Sequence, residues 1–130
     1  MKRKKKKALV YCAMSGDIIH HGHINILKIA SSYGNVILGA LTDKAIKSYK
    51  KKPITNYKQR KLIFDSIKYV KKVIPQSTHD YSNNLRKIKP SYVIHGNDWK
   101  KGPQKHIREK VILLIKKWGG KLIEPKYTKN

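Results

Sequence analysis

This 130-residue sequence predicts an α/β fold of three layers, a five-stranded parallel sheet between two layers of helices. Three observations predict it. Short apolar runs alternate with amphipathic stretches, as parallel strands joined by crossover helices require. Gly34, Pro75, Pro90 and Gly119 fall at the joins between those stretches. The composition, 39% hydrophobic, suits a single globular domain with a core of its own.

The first strand is Ala8–Met14, an unbroken apolar run. The first helix, Gly22–Ser32, sets Ile24, Leu27, Ile29 and Ala30 on roughly one face. Tyr33-Gly34 ends it, with glycine as the C-terminal cap. A second strand follows at Asn35–Leu41, then a helix at Lys58–Ile67 and a third strand at Val70–Ile74. Pro75 falls in the next connection, where a missing N–H costs little. Ser82–Ile88 reads as a helix, Pro90 as a connection and Tyr92–His95 as the fourth strand. The last helix, Lys105–Trp118, stops at Gly119-Gly120, and Lys121–Glu124 supplies the fifth strand. There is no internal repeat and no internal linker.

Residues 1–7 read as a mobile basic tail and 8–130 as the domain. Lys2–Lys7 followed by Ala8–Met14 has the charge pattern of a secretory signal. The apolar part is at the short limit, however, and cleavage after it would destroy the segment that follows. No apolar stretch is long enough to cross a membrane. Cys12 lies alone inside an apolar run, so it makes no disulfide within the chain and fits a reducing, cytoplasmic setting.

The formal net charge is +24. Nucleic acid or an anionic surface is the first inference from such a charge. Two observations argue against it. Lysine far outnumbers arginine, which occurs only as Arg3, Arg60, Arg86 and Arg108, and the lysine-, isoleucine-, asparagine- and tyrosine-rich composition is what an A/T-rich genome produces. The basic residues are also spread along the chain, without aromatic platforms interleaved with arginine. The charge still steers anionic substrates such as nucleotides and phosphates.

The segment Ser15-Gly16-Asp17-Ile18-Ile19-His20-His21-Gly22-His23 stands where the first strand hands over to the first helix. Unpaired N–H groups and the helix dipole make such a place an anion site. Gly22 lets the backbone approach a ligand closely. His20 and His23 can donate hydrogen bonds to phosphate oxygens. A turn with solvated histidines is the plainer alternative, but the aspartate, the glycine and the strand-to-helix context would then coincide by chance. In this fold ligands bind beyond the carboxyl ends of the strands. Ser15–His23, Thr42-Asp43 and Gly96-Asn97-Asp98-Trp99 all meet at that edge.

Asp17-x-x-His20-x-Gly22-His23 resembles the signature of the cytidylyltransferases, a family of the HxGH nucleotidyltransferase superfamily with a Rossmann-like α/β/α fold. Thr42-Asp43, a lysine-rich loop, Tyr57-x-x-Arg60, Val73-Ile74-Pro75 and Gly96-x-Asp98-Trp99 follow at that family's order and spacing. The phosphonate cytidylyltransferases, including those fused to phosphoenolpyruvate mutase, are most similar. Their text resembles Met14-Ser15-x-Asp17-x-Ile19-His20-His21-Gly22-His23-Ile24-Asn25-Ile26, Leu41-Thr42-Asp43-Lys44-Ala45-Ile46, His95-Gly96-x-Asp98-Trp99-Lys100 and Glu124-Pro125-x-Tyr127-Thr128.

The resemblance implies transfer of CMP from CTP to a small phosphonate such as 2-aminoethylphosphonate, or to a phosphoalcohol, with release of pyrophosphate. It implies that His20 and His23 hold the CTP phosphates, with Ser15, Gly16 and Gly22 completing the cradle. Asp17 orients the motif, helps hold a metal, or is a plain turn- or helix-capping aspartate. Lys50 matches the loop lysine that reaches the phosphates. Lys51 is the neighbouring candidate, and a solvated loop lysine the alternative. Arg60 matches an arginine that braces that loop, against a surface arginine. Gly96, Asp98 and Trp99 match the ribose and base pocket, with Trp99 as plain core the alternative. The cofactor implied is Mg²⁺, held mainly by phosphate oxygens and water, and the assembly implied is a homodimer. His79, His95 and His106 are isolated and read as surface or satisfied core positions.

The match breaks in two places. The family's second signature, resembling Gly-Ile-Ser-Ser/Thr-Thr, should begin where this sequence ends, at Tyr127-Thr128-Lys129-Asn130. Either the chain is part of a longer or fused protein, or it is a variant that lost half its triphosphate clamp. The clean resemblance up to that point favours the former, and predicts weak CTP binding by this chain alone. In Lys68-Tyr69-Val70-Lys71-Lys72, lysines replace the arginine and aspartate of relatives acting on glycerol phosphate. Three other readings stand beside the phosphonate enzyme: a cytidylyltransferase for phosphocholine or glycerol 3-phosphate, a nucleotidyltransferase of the same fold for another nucleotide, and a non-catalytic nucleotide- or nucleic-acid-binding module.

Overall fold

The computed structural model describes residues 7–48 and 52–126. Its elements are β1 (Leu9–Met14), α1 (His21–Tyr33), β2 (Asn35–Leu41), α2 (Asp43–Lys47), α3 (Tyr57–Asp65), β3 (Lys72–Gln76), α4 (Ser82–Ile88), β4 (Tyr92–Ile94), a single 3-10 turn (Asn97–Trp99), α5 (Lys105–Lys116) and β5 (Lys121–Ile123). The five strands are parallel in the order β3-β2-β1-β4-β5, so the expected three-layer α/β fold is present.

Alternation along the strands builds two cores. On one face Val10 and Cys12 of β1 and Val36 and Leu38 of β2 pack with Leu27 and Ala30 of α1 and Phe64 of α3. On the other, Tyr11, Ile37 and Val93 pack with Leu85 of α4 and Val111, Leu114 and Ile115 of α5. Cutting back a side chain as enclosed as Phe64 costs about 3–5 kcal/mol in such a core.

Five expectations are corrected. β3 begins two residues later than expected, because Val70 is spent on a turn to Ile67 O and Lys71 N–H reaches Val36 O before the ladder starts. Pro75 lies inside β3 rather than in a connection. It is tolerated because β3 is an edge strand and the outward side of such a strand needs no N–H. The five-residue α2 escaped the sequence pattern; the Thr42 hydroxyl caps it by accepting Ala45 N–H. Gly34 is extended, not left-handed, and is needed because a Cβ there would lie 2.2 Å from Ala8 O. On α1, Ile26 is buried and Ile29 is exposed.

Candidate active site

At the carboxyl ends of β1 to β4 the connections line a half-open cavity of about 290 Å³. Ser15, Gly22 and His23 form one wall, directly after β1. Gln76, His79 and Tyr81 form a second, between β3 and α4. His95, Gly96, Asp98 and Trp99 form the third, after β4. Gln104 and Ile107 close the side toward α5.

The two motif histidines cap α1 and each other. His20 Nδ1 accepts Gly22 N–H at 3.0 Å, and His23 Nδ1 accepts His20 N–H at 3.1 Å. Both Nδ1 atoms are therefore unprotonated acceptors, which places the proton of each neutral ring on Nε2. The ring centroids lie 4.2 Å apart. His23 lines the cavity, whereas His20 supports it from the N-cap position.

Three predicted site residues act behind the wall. Gly16 has φ +73°, and a Cβ on it would lie 2.3 Å from the Phe64 ring, so this glycine serves close packing on α3. The Asp17 carboxylate accepts Ile54 N–H at 3.1 Å, and Thr55 N–H and hydroxyl at 3.0 and 3.1 Å. Those bonds, the Thr55 N–H foremost, hold its pKa below the usual carboxylate range. Arg60 is fully buried rather than a surface arginine. Its guanidinium bonds Thr55 O, Leu41 O at 2.8 Å and the Asp43 carboxylate at 2.8 Å, so it braces the segment without lining the cavity. Lys50 and Lys51 lie outside the described residues. Their segment is described again from Lys52 and is pinned at Thr55 by Asp17 and Arg60.

Trp99 is both core and wall. It is 1% exposed, stacks on His95 at 3.7 Å and 7°, and donates Nε1–H to Glu124 at 2.7 Å. Arg108 holds the same carboxylate by two bonds, at 2.8 and 2.9 Å. The Arg108 bonds chiefly depress the Glu124 pKa, against its partial burial. His95 Nδ1 lies 2.7 Å from Gly96 O, which makes Nδ1 the protonated nitrogen. Burial lowers the His95 pKa, although Gly96 O, Asp98 and Glu124 pull the other way.

His79 and His95 are thus not bystanders, as their isolation in the sequence suggested; both line the cavity, while His106 is exposed. Gln76, Tyr81, Gln104, Arg108 and Glu124 also escaped the sequence reading. Gln76 ends β3, so the rule that ligands sit beyond strand ends, extended to this strand, was the available signal. Among the described residues no three His, Cys, Asp or Glu side chains cluster as a metal cage, and no helix is long and apolar enough to cross a membrane.

The profile of the family described as Cytidylyltransferase-like matches residues 15–120. The chain belongs to this family. Among relatives, it is 34% identical to glycerol-3-phosphate cytidylyltransferase of Staphylococcus aureus over 64% of this chain and 64% of that one. It is 31% identical to ethanolamine-phosphate cytidylyltransferase of Arabidopsis thaliana over 74% of this chain and 24% of that one. It is 32% identical to FAD synthase of Archaeoglobus fulgidus over 63% of this chain and 60% of that one. The chain thus spans less than two thirds of the length of each of these relatives. The crystal structure of a lipopolysaccharide core biosynthesis protein from Thermoplasma volcanium shares the fold, with a TM-score of 0.75 at 22% identity over 95% of this chain and 98% of that one. The fold is therefore the expected Rossmann-like one, with the cavity at the carboxyl edge of its sheet.

Proposed function

We propose that this cytidylyltransferase-like chain transfers CMP from CTP to a small phosphonate such as 2-aminoethylphosphonate, releasing pyrophosphate. The single observation that carries the reading is the paired capping of α1 by His20 and His23, which leaves Nε2–H as the free donor of each ring and sets His23 and the helix N-terminus at Gly22 on one wall of the cavity. An oxygen of the acceptor attacks the α-phosphorus of CTP, and the bond from that phosphorus to the pyrophosphate oxygen breaks. No covalent enzyme intermediate is involved.

The protein's share is positioning and charge neutralisation. His23 Nε2–H, with His20 beside it, stabilises charge developing on the α-phosphate and the leaving pyrophosphate. Ser15 and Gly22 complete the phosphate cradle. Gly96, Asp98 and Trp99 take the ribose and base, with Trp99 fixed by Glu124 and Arg108. Lys50 is the lysine assigned to the phosphates by its match to the family's loop lysine, and Asp17 and Arg60 anchor Thr55 of the segment that follows it in sequence. The remaining wall of Gln76, His79 and Tyr81 is left for the acceptor.

Mg²⁺ fits this donor set as an ion carried by the triphosphate, because the oxygens of Asp17 are already engaged by Ile54 and Thr55. When bound, it neutralises phosphate charge. The lone buried thiol of Cys12, whose pKa burial pushes up to about 12, suits a reducing cytoplasm.

The test is pyrophosphate release with CTP and Mg²⁺ across 2-aminoethylphosphonate, 2-hydroxyethylphosphonate, phosphocholine and glycerol 3-phosphate, with ATP replacing CTP as the nucleotide control. Release with a phosphonate and CTP alone is expected. Turnover confined to a phosphoalcohol moves the acceptor, and turnover with ATP moves the nucleotide.

A further inference from the structure

A polar relay, buried at Tyr11 and Gln76 and half-buried at Asn84, runs beneath the acceptor wall, between helix α4 and the cavity. Asn84 of α4 donates Nδ2–H to Pro75 O at 3.0 Å and to the Tyr11 hydroxyl oxygen at 2.9 Å. Tyr11 in turn donates its only proton to Gln76 Oε1 at 2.5 Å. Gln76 then donates Nε2–H to Thr78 O at 3.0 Å. Every step has one direction. The Pro75 carbonyl fixes which end of the Asn84 amide faces Tyr11, and that amide makes the Tyr11 oxygen an acceptor. The hydroxyl proton is thereby committed to Gln76, and the Gln76 amide cannot flip.

The chain accommodates this relay at a specific place. Tyr11 is fully buried in central strand β1, and its hydroxyl passes over Gly39 of β2, where a Cβ would lie 1.8 Å from it. Burial pushes the Tyr11 pKa well above the usual phenol range, so it remains a proton donor throughout the working range. Tyr11 also meets the Tyr81 ring edge-on at 5.9 Å, touching the same wall a second time. The segment from Gln76 to Tyr81 is thus held from below by one side chain that does not itself line the cavity.

We propose that Tyr11, oriented by Asn84, is a positioning residue for the acceptor: it fixes the Gln76 amide with its second N–H available to the cavity and sets the wall that carries His79. This rests on the assignment of that wall to the acceptor in the proposed reaction. Its consequence is selective, because the phosphate cradle of Ser15, Gly22 and His23 stands on a different connection.

The experiment compares the native chain with Tyr11→Phe and Asn84→Ala, measuring KM for 2-aminoethylphosphonate and for CTP separately. Both variants are expected to raise the acceptor KM about fivefold to tenfold, the worth of one neutral hydrogen bond, and to leave the CTP KM within about twofold. Equal rises in both constants, or no rise in either, overturn the proposal. Asn84→Ala keeps the test open if Tyr11→Phe fails to fold, since Asn84 lies on the partly exposed side of α4. Should the native chain turn over no acceptor, the proposed reaction fails on its own account. The relay is then read from the Gln76 side-chain amide by NMR: one slowly exchanging N–H pair in the native chain, lost in both variants, supports it, and an unchanged pair overturns it.

Discussion

Asp17 and Thr55 are joined by two hydrogen bonds across 38 residues, so the aspartate of the first-helix motif is the anchor of the segment that precedes α3. Thr55 is held again from its carbonyl side by the buried Arg60, which also ties down Leu41 O and Asp43. The β1–α1 loop, the end of β2 and the start of α3 are therefore tied together by side-chain hydrogen bonds. An aspartate beside the N-terminus of α1 thus has a structural task, its carboxylate being taken up by Ile54 and Thr55.

Asp17→Asn should destabilise the fold by about 1 kcal/mol at neutral pH, the net worth of a hydrogen bond to a partly exposed acceptor. The folded pKa of Asp17 is depressed. Its contribution is therefore complete above the unfolded value of about 3.9 and fades as pH falls through the folded value. Denaturant melts at pH 7 and pH 2.5 check this: the gap between native and variant should narrow at the lower pH. A constant gap would show that Asp17 acts through shape alone.

Gly16→Ala should cost about 2–4 kcal/mol, combining left-handed strain with overpacking against Phe64. Phe64→Leu in the same chain should return part of that loss by making room. Thermal melts of the single and double variants separate the two causes, since strain alone would leave the double variant no better than the sum.

Glu124→Ala should weaken CTP binding about fivefold to tenfold by freeing the Trp99 indole and the Arg108 guanidinium together. The readout is a CTP titration alongside tryptophan emission, which should shift to the red as the indole loosens. An unaltered affinity with a shifted spectrum would mean that Trp99 is core and makes no contact with the base.

The His95 ring should make stability fall in mild acid. Burial lowers its folded pKa, so the unfolded chain takes up a proton near pH 6.5 while the folded ring stays neutral. Stability is complete above about pH 6.5 and declines as pH falls toward the folded value. His95→Phe keeps a ring on Trp99 and removes the titration, so its Tm should change less between pH 7 and pH 5. Parallel Tm curves would contradict this.

The sheet was legible because each strand is a local apolar run and each helix a local period. The wall after β1 was legible for the same reason, since Ser15 through His23 is contiguous. What escaped depends on distance. His79 and His95 looked isolated because the sheet order, not the chain, brings them to one cavity. Arg60 matched a bracing arginine, with a surface helix arginine as the alternative, and the carbonyls of Leu41 and Thr55 with the Asp43 carboxylate explain its burial. Glu124 just after β5, Arg108 of α5 and Trp99 of the 3-10 turn come from three places in the chain and share no local pattern. Pro75 misled because its tolerance rests on β3 lying at the sheet edge.

The most direct measurement is ³¹P NMR of the chain incubated with CTP, Mg²⁺ and 2-aminoethylphosphonate, run in parallel with His23→Ala. The account predicts that CMP–phosphonate and pyrophosphate signals grow together with the native chain, at a rate about 10²- to 10³-fold above the variant. Equal rates in native and variant, or loss of CTP without a CMP–phosphonate signal, would contradict it.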